Sequence, residues 1–174
     1  MPVFRTCRDR AYTLIELLLV IMLLGIATAV VAPSLGSTDV LRVQSTVRAI
    51  VADINVAQSD ALARQQGRAI VFDTTNNRYS VLEVHGATLN PSTDTIYTVD
   101  LNNKHKFHSS HLDSAAFDSG NTLVFDELGG PVTGPGSSTP GNGGSVVVSG
   151  SGSTFRITVE AYTGRVTVTR IGGP

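Results

Sequence analysis

A single acidic residue, Glu16, lies near the start of a long apolar run that extends from Ala11 to Leu35. A carboxylate within a membrane-length apolar helix costs roughly 3 kcal/mol even on lenient insertion scales. Pairing with an opposite charge offsets the loss of hydration, so such a group is expected to have a partner. The chemistry that Glu16 indicates is therefore an ion pair formed in apolar surroundings.

Three histidines, His105, His108 and His111, recur at intervals of three residues, and Asp113 follows them. On a helical turn this spacing could bring the imidazoles together to bind zinc. The neighbouring residues are typical of a loop or an edge strand, where the same spacing alternates faces. A solvated polar loop is the preferred interpretation, so no metal or other cofactor is predicted. No nucleophile-elbow or zincin spacing occurs, and the chain is not predicted to be an enzyme.

Three arginines near the C-terminus could bind phosphate groups if neighbouring strands brought them together. Arg165 and Arg170 lie on the last predicted strand, and Arg156 lies on its hairpin partner. Only 16% of the residues are charged and the formal net charge is -1, which argues against extensive nucleic-acid binding. Solvated strand arginines are the preferred interpretation, and DNA contact is the alternative.

The element that carries Glu16 is predicted to be a membrane helix. Arg5, Arg8 and Arg10 precede the apolar run, and a basic flank is expected to stay in the cytoplasm. The stretch from Leu17 to Leu35 would span about 28 Å as a helix, close to the roughly 30 Å hydrocarbon core. A secretory signal peptide is the rival interpretation, because the alanine-rich stretch 27–32 could supply a cleavage site.

Residues 36–67 have the periodicity of an amphipathic helix. Gly67 is a plausible C-cap for it. The apolar side chains recur every three or four residues on one stripe, which requires a sheet to cover it. They are Val43, Val47, Ile50, Ile54, Ala57 and Ala61.

Residues 68–174 change to the alternating pattern of a β-rich domain. The predicted strands are Arg68–Phe72, Arg78–Glu83, Thr95–Leu101, Thr122–Phe125, Gly144–Val148, Phe155–Glu160 and Arg165–Ile171. The last two should form a hairpin in which Gly164 supplies a positive φ. Residues 129–144 are predicted to be a flexible loop, too polar to pack. Cys7 is the only cysteine, so no internal disulfide is possible.

The run RAYTLIELLLVIMLLGI resembles the type IV prepilin signal, in which a small residue precedes the cleavage site and an aromatic residue follows it. Ala11 and Tyr12 hold these places, and residues 13–16 match the family pattern. The resemblance implies that a prepilin peptidase removes residues 1–11 and methylates the new amine of Tyr12. Residues 12–35 would then serve as a transmembrane helix and later as a filament core, with Glu16 facing the terminal amine of a neighbouring subunit.

Three further segments resemble the GspH/FimT branch of pseudopilins: SDALARQQGRAIVFD, LVFDELGGPV and FRITVEAYTGRVTV. The resemblance implies an α+β, pilin-like fold. Its long N-terminal helix, with a membrane half and an amphipathic half, would pack on antiparallel β-sheets. The chain would cross the bacterial inner membrane once, with a cytoplasmic N-terminus and residues 68–174 in the periplasm.

The leading hypothesis for function is a minor pseudopilin of the type II secretion system, of the H type. It would lie near the tip of a periplasmic pseudopilus that helps to export folded proteins across the outer membrane. Its partners would be the prepilin peptidase, other minor and major pseudopilins, the inner membrane and secreted exoproteins. The alternative is a FimT-like minor type IV pilin that serves pilus assembly and DNA uptake, the only hypothesis with nucleic acid as a partner. A membrane-anchored periplasmic enzyme is a third possibility, supported by the histidine cluster alone.

Overall fold

The computed structural model of the protein describes residues 12–31, 38–103, 107 and 110–173. The predicted leader, residues 1–11, and the end of the predicted membrane segment, residues 32–35, lie outside the described residues. The chain divides into two compact units, Met1–Thr38 and Asp39–Pro174. Helix α1, Leu14–Val31, forms the described part of the first unit. Helix α2, Thr38–Arg64, leads into the second unit, which also contains the strands.

Among the described residues, no helix combines the length and the apolar character that crossing a membrane requires.

Helix α2 confirms the predicted apolar stripe. Every member of the stripe is buried, with at most 4% of its surface exposed. The helix ends differently from the prediction, because Gln65, not Gly67, adopts the positive φ (52°) that terminates it. The N–H of Gln66 then donates to the carbonyl of Ala61 at 3.2 Å, which is the 6→1 bond of a Schellman motif. Gly67 serves close packing instead, since a Cβ there would lie 3.1 Å from the Cβ of Val84.

The strands of the described residues form two antiparallel sheets. They are β1 Arg68–Asp73, β2 Arg78–Glu83, β3 Thr95–Asp100, β4 His111–Phe117, β5 Thr122–Phe125, β6 Pro131–Val132, β7 Gly143–Gly150, β8 Ser153–Glu160 and β9 Val166–Gly172. Sheet A has the order β3-β2-β1-β5-β6, and sheet B has the order β4-β7-β8-β9. The predicted α+β class with antiparallel sheets is confirmed.

Strands β4 and β6 were not predicted from the sequence. Strand β4 reads HLDSAAF, which lacks the β-branched residues that usually indicate a strand, and it lies at the edge of sheet B. Strand β6 has only two residues, Pro131 and Val132. The other seven strands lie where the alternating pattern places them, and Gly164 has the expected positive φ of 66°.

One hydrophobic core joins α2 to both sheets. The stripe of α2 packs with Ile70 and Phe72 of sheet A and with Val146, Val148 and Ile157 of sheet B. A second, smaller hydrophobic cluster includes Ala69, Leu82 and Val132. Along the strands of sheet A, its side chains alternate with those that belong to the first core. Helix α2 is therefore held by burial along its whole apolar stripe.

The segment 129–144 is folded, which corrects the prediction of a loop too polar to pack. The N–H of Thr133 donates to the carbonyl of Thr139 at 3.0 Å, and Gly141 donates to Pro131 at 2.8 Å. Val132 is buried in the second cluster, and Gly143 already belongs to β7. Backbone hydrogen bonds can order a segment whose side chains are polar, because they do not depend on side-chain type.

Candidate assembly site

The first turn of α1 is capped by its own sequence. The Thr13 hydroxyl accepts a hydrogen bond from the N–H of Glu16 at 3.3 Å, and the Thr13 carbonyl accepts from the N–H groups of Glu16 and Leu17 at 3.1 and 3.2 Å. Thr13 is therefore the N-cap, and Glu16 occupies the third helical position. The spacing Thr-x-x-Glu is that of a capping box, a local sequence signal for the start of a helix.

Glu16 lies in the first turn of α1, close to the free N–H groups of the helix start. The unsatisfied N–H groups at the start of a helix carry partial positive charge, which stabilises a carboxylate in the first turn. Glu16 is exposed, and none of the described residues forms an ion pair with it. Tyr12 is 80% exposed and lies one helical turn before it. Both residues to which the prepilin resemblance assigns a role are therefore exposed, while Ala11 lies outside the described residues.

The rest of α1 is apolar on every side. Its large apolar side chains from Leu14 to Ile26 are between 48% and 84% exposed. The described residues of α1 form no polar stripe that could face water. A helix that is hydrophobic on all sides must be covered by other apolar groups. The helix thus has the surface of an element that is covered by other molecules.

In the second unit, a buried arginine fastens α2 to sheet A. Arg68, at the start of β1, is 1% exposed. Its Nε donates to Asp60 Oδ2 at 2.6 Å, and its Nη1 donates to Glu83 Oε1 at 3.3 Å. Asp60 also receives the Nε of Arg64 at 2.6 Å. Hydrogen bonding from Arg68, followed by that from Arg64, holds the pKa of Asp60 below its usual range against the opposing effect of burial.

A second polar link lies about two turns before Asp60 on the same helix, at Asp53. The hydroxyl of Tyr79 donates to Asp53 Oδ2 at 2.6 Å. Burial, and then the hydrogen bond to Asp53, raise the pKa of Tyr79 above its ordinary value. Burial together with the charge of Asp53 raises the pKa of Tyr97 to about 12. Both tyrosines therefore remain neutral over the physiological pH range. Neither Asp53 nor Arg68 was predicted from the sequence to link α2 to the sheet, because both contacts join residues far apart in the chain.

The three candidate DNA-contacting arginines do not form one patch. Arg156 lies opposite Thr169, while Arg170 lies opposite Phe155, so the alternation of side chains places Arg156 and Arg170 on opposite faces of sheet B. Arg165 is paired with Glu160 at 2.8 Å. Since Glu160 is four residues from Arg156, about 13 Å separates these positions along the strand.

The histidine cluster falls mostly outside the described residues, which exclude His105 and His108. His111 is exposed at the start of β4, and Asp113 accepts a hydrogen bond from Ser149 at 2.7 Å. Within the described part of the chain, no group of three or more potential ligands has the arrangement of a metal site.

Comparison with known proteins gives two matching families. Residues 46–172 match the family described as Type II transport protein GspH. Residues 6–32 match the family described as the prokaryotic N-terminal methylation motif. No curated protein matches the chain.

Two solved structures are similar to the chain. The type IV minor pilin FimU of Pseudomonas aeruginosa is 14% identical with a TM-score of 0.53, covering 73% of this chain and 87% of FimU. The minor pseudopilin EpsH from the type 2 secretion system of Vibrio cholerae is 12% identical with a TM-score of 0.48, covering 75% of this chain and 97% of EpsH. The likeness to FimU shows a shared fold.

Two features define a pilin-like subunit. The first is the apolar stripe of α2, buried under two antiparallel sheets, and the second is an apolar N-terminal helix whose capped first turn carries an acidic residue. Within that class, the match over residues 46–172 covers more than half of the sequence. The chain belongs to the GspH family of type II secretion pseudopilins, and its N-terminus carries the prokaryotic methylation motif. Membership implies assembly with other pseudopilins in a filament, anchoring in the inner membrane and a periplasmic domain.

Proposed function

We propose that the protein is a minor pseudopilin, a structural subunit near the tip of the periplasmic pseudopilus of a type II secretion system. The observation that carries this proposal is Glu16 on the capped first turn of an apolar helix, in a chain whose folded unit matches GspH. In this role the protein helps to export folded proteins across the outer membrane by assembly and not by catalysis.

Assembly begins with the N-terminus. A prepilin peptidase cleaves between Ala11 and Tyr12 and methylates the new amine of Tyr12. Glu16 then pairs with the terminal amine of a neighbouring subunit. A charge in apolar surroundings is strongly destabilised when it lacks its partner. The ion pair therefore fixes the register between adjacent helices. The exposed apolar surface of α1 supplies the remaining contact area.

Before assembly, the segment 12–35 anchors the chain in the inner membrane. The N-terminus faces the cytoplasm, where the arginines of the leader remain, and the unit from Asp39 onwards folds in the periplasm. Its direct contacts are other minor and major pseudopilins, and secreted exoproteins are a further class of partner.

A FimT-like pilus subunit that takes up DNA is the alternative function. The likeness to FimU supports a pilin fold, which both functions share. The separation of Arg156 from Arg170 across sheet B gives no single phosphate-binding patch. Deletion of the gene in its native host distinguishes the two functions, because loss of exoprotein secretion with normal DNA uptake is expected only of a pseudopilin.

The pairing of Glu16 is tested by Glu16→Ala. We expect normal membrane insertion and leader removal, measured by membrane fractionation and mass spectrometry, but at least a tenfold lower amount in sheared filaments. Glu127→Ala removes an equivalent charge from an exposed turn of the folded unit and is the matched control. Normal filament incorporation of Glu16→Ala would contradict the pairing, whereas equal loss in both variants would indicate a general charge effect.

A further inference from the structure

Strand β9 leaves one row of backbone groups free at the edge of sheet B. The N–H of Glu160 donates to the carbonyl of Arg165, so this pair is a hydrogen-bonded one. Hydrogen-bonded and non-hydrogen-bonded pairs alternate along an antiparallel ladder. Val166, Val168 and Arg170 therefore direct their N–H and C=O groups away from β8. Strand β9 has no second neighbour among the described residues, so these groups are available to another strand.

An apolar groove of about 490 Å³ runs beside this edge, between α2 and the inner face of sheet B. Val51 and Ala52 of α2 line one wall, and Phe155 and Val168 line the other. Val168 is 46% exposed, although its neighbour across the ladder, Ile157, is completely buried. The apolar face of sheet B thus extends past the region that α2 covers.

The charge around the groove is positive. Arg48 lines it from α2 and is exposed, and no described residue forms an ion pair with it. Arg170 lies on the same face as Val168, two residues farther along β9, or about 7 Å. Arg170 donates to the carbonyl of Gly172 and the hydroxyl of Ser153, which leaves its charge without a carboxylate partner among the described residues. Among the described residues that line the groove, none is acidic.

We propose that the edge of β9 and the adjoining groove bind an extended, acidic segment of a partner protein by strand addition. The free N–H and C=O groups of β9 require a β-strand as the occupant. Alternate side chains of that strand would enter the groove, so every second residue should be apolar. Carboxylates at the ends of the segment would face Arg48 and Arg170. A second copy of this chain is disfavoured because β9 itself carries no acidic residue to offer these arginines.

The probe is the peptide acetyl-Glu-Thr-Val-Thr-Val-Thr-Glu-amide, which places both valines and both glutamates on one face of a strand. Its control has the same composition in the order Glu-Val-Val-Thr-Thr-Thr-Glu. With the full chain in detergent micelles, calorimetry should detect the first peptide and not the second. The peptide should also slow hydrogen exchange at the amides of Val168 and Arg170, because those groups gain acceptors.

Two variants on neighbouring positions of β9 provide the matched test. Val168→Glu places a carboxylate in the groove and should weaken peptide binding at least about tenfold, or 1.4 kcal/mol. Thr169→Glu makes the same charge change on the opposite face and should leave the affinity within about twofold. Arg48→Ser, on α2, should weaken binding severalfold and reduce its dependence on salt.

Four results would overturn the proposal. The first is wild-type affinity in a folded Val168→Glu or Arg48→Ser variant. The second is an equal loss in Thr169→Glu. The third is displacement of the peptide by a single-stranded oligonucleotide that binds more tightly, which would identify a nucleic-acid site. The fourth is a dimer in sedimentation that Val168→Glu dissociates, which would place a second copy on the edge. The binding assay does not involve filament assembly, so its outcome is independent of the proposed function.

Discussion

Removal of Asp60 should destabilise the folded unit far more than its position near the end of a helix suggests. Asp60→Ala leaves the guanidinium of Arg68 in place with 1% of that residue exposed, and it deletes the shortest hydrogen bond of the group, 2.6 Å. The carboxylate of Glu83 at 3.3 Å and the carbonyls of Gln66 and Gly67 at 3.2 and 3.1 Å remain. The charge of Arg68 would therefore keep some hydrogen-bond acceptors but lose its nearest carboxylate.

The magnitude follows from these contacts. Breaking a buried ion pair by removing one partner costs about 3–5 kcal/mol. The remaining acceptors of Arg68, and the 28% exposure of the Asp60 side chain, favour the lower end, about 3 kcal/mol. Loss of the surface pair with Arg64 adds only about 0.4 kcal/mol. In a domain of this size the midpoint of thermal unfolding should fall by about 10 °C.

The assay is urea and thermal denaturation of residues 38–174, which contain the whole core, followed by circular dichroism. Arg68→Met removes the buried charge and fills similar space, so it should cost less than Asp60→Ala. The double variant should lose about 2 kcal/mol less than the sum of the single variants. Glu160→Ala breaks the exposed pair with Arg165 and should change stability by less than about 0.5 kcal/mol.

A loss below about 1 kcal/mol for Asp60→Ala, or additive effects in the double variant, would refute the view that Arg68 depends on Asp60.

Four further outcomes are expected. Tyr79→Phe should cost about 1.5 kcal/mol by urea denaturation, because it removes the hydrogen bond to the Asp53 carboxylate. Because the pKa of Tyr79 is raised in the folded state, its contribution is complete below about pH 10 and should be lost above that value; an alkaline melting series checks this, and Tyr79→Phe should abolish its share of the loss. Because the pKa of Asp60 is lowered, its contribution is present above about pH 4 and should disappear on further acidification, so the stability difference between the wild type and Asp60→Ala should shrink between about pH 4 and pH 2. Gln58→Ala should cost about 2 kcal/mol in the same assay and speed amide exchange in two turns, since its Nε2 donates to a carbonyl in each, at 2.8 and 2.9 Å.

Local patterns in the sequence were sufficient for most of the fold. The stripe from Val43 to Ala61 predicts a helix covered by a sheet, because only one face of a 3.6-residue period is apolar. Seven strands follow from alternation and from turn residues. Strand β4 could not be found this way, since an edge strand with one deeply buried residue, Leu112, has little pattern to detect. The order of the segment 129–144 was hidden for a related reason, because it depends on backbone hydrogen bonds and on long-range side-chain bonds such as that between Asn142 and Asp118.

The candidate assembly site was largely a property of the sequence. The apolar run, Glu16 and the residues before it are contiguous, so their relation does not depend on distant parts of the chain. The capping role of Thr13 is equally local, because it arises from a spacing of three residues.

Contacts between distant residues were decided by the tertiary structure alone. The sequence places Arg156, Arg165 and Arg170 near one another, but the register of β8 with β9 separates them onto two faces of a sheet. The same register brings Val168 and Arg170 beside the groove of α2 and directs the free groups of β9 outward. Arg68 and Asp60 likewise gain their importance from burial, which is set by packing across the whole unit. The sequence by itself thus determined the class of protein and its N-terminal chemistry. Only the tertiary structure determined which charges are paired and which surface is free to bind, because both depend on distances between residues that are far apart in the chain.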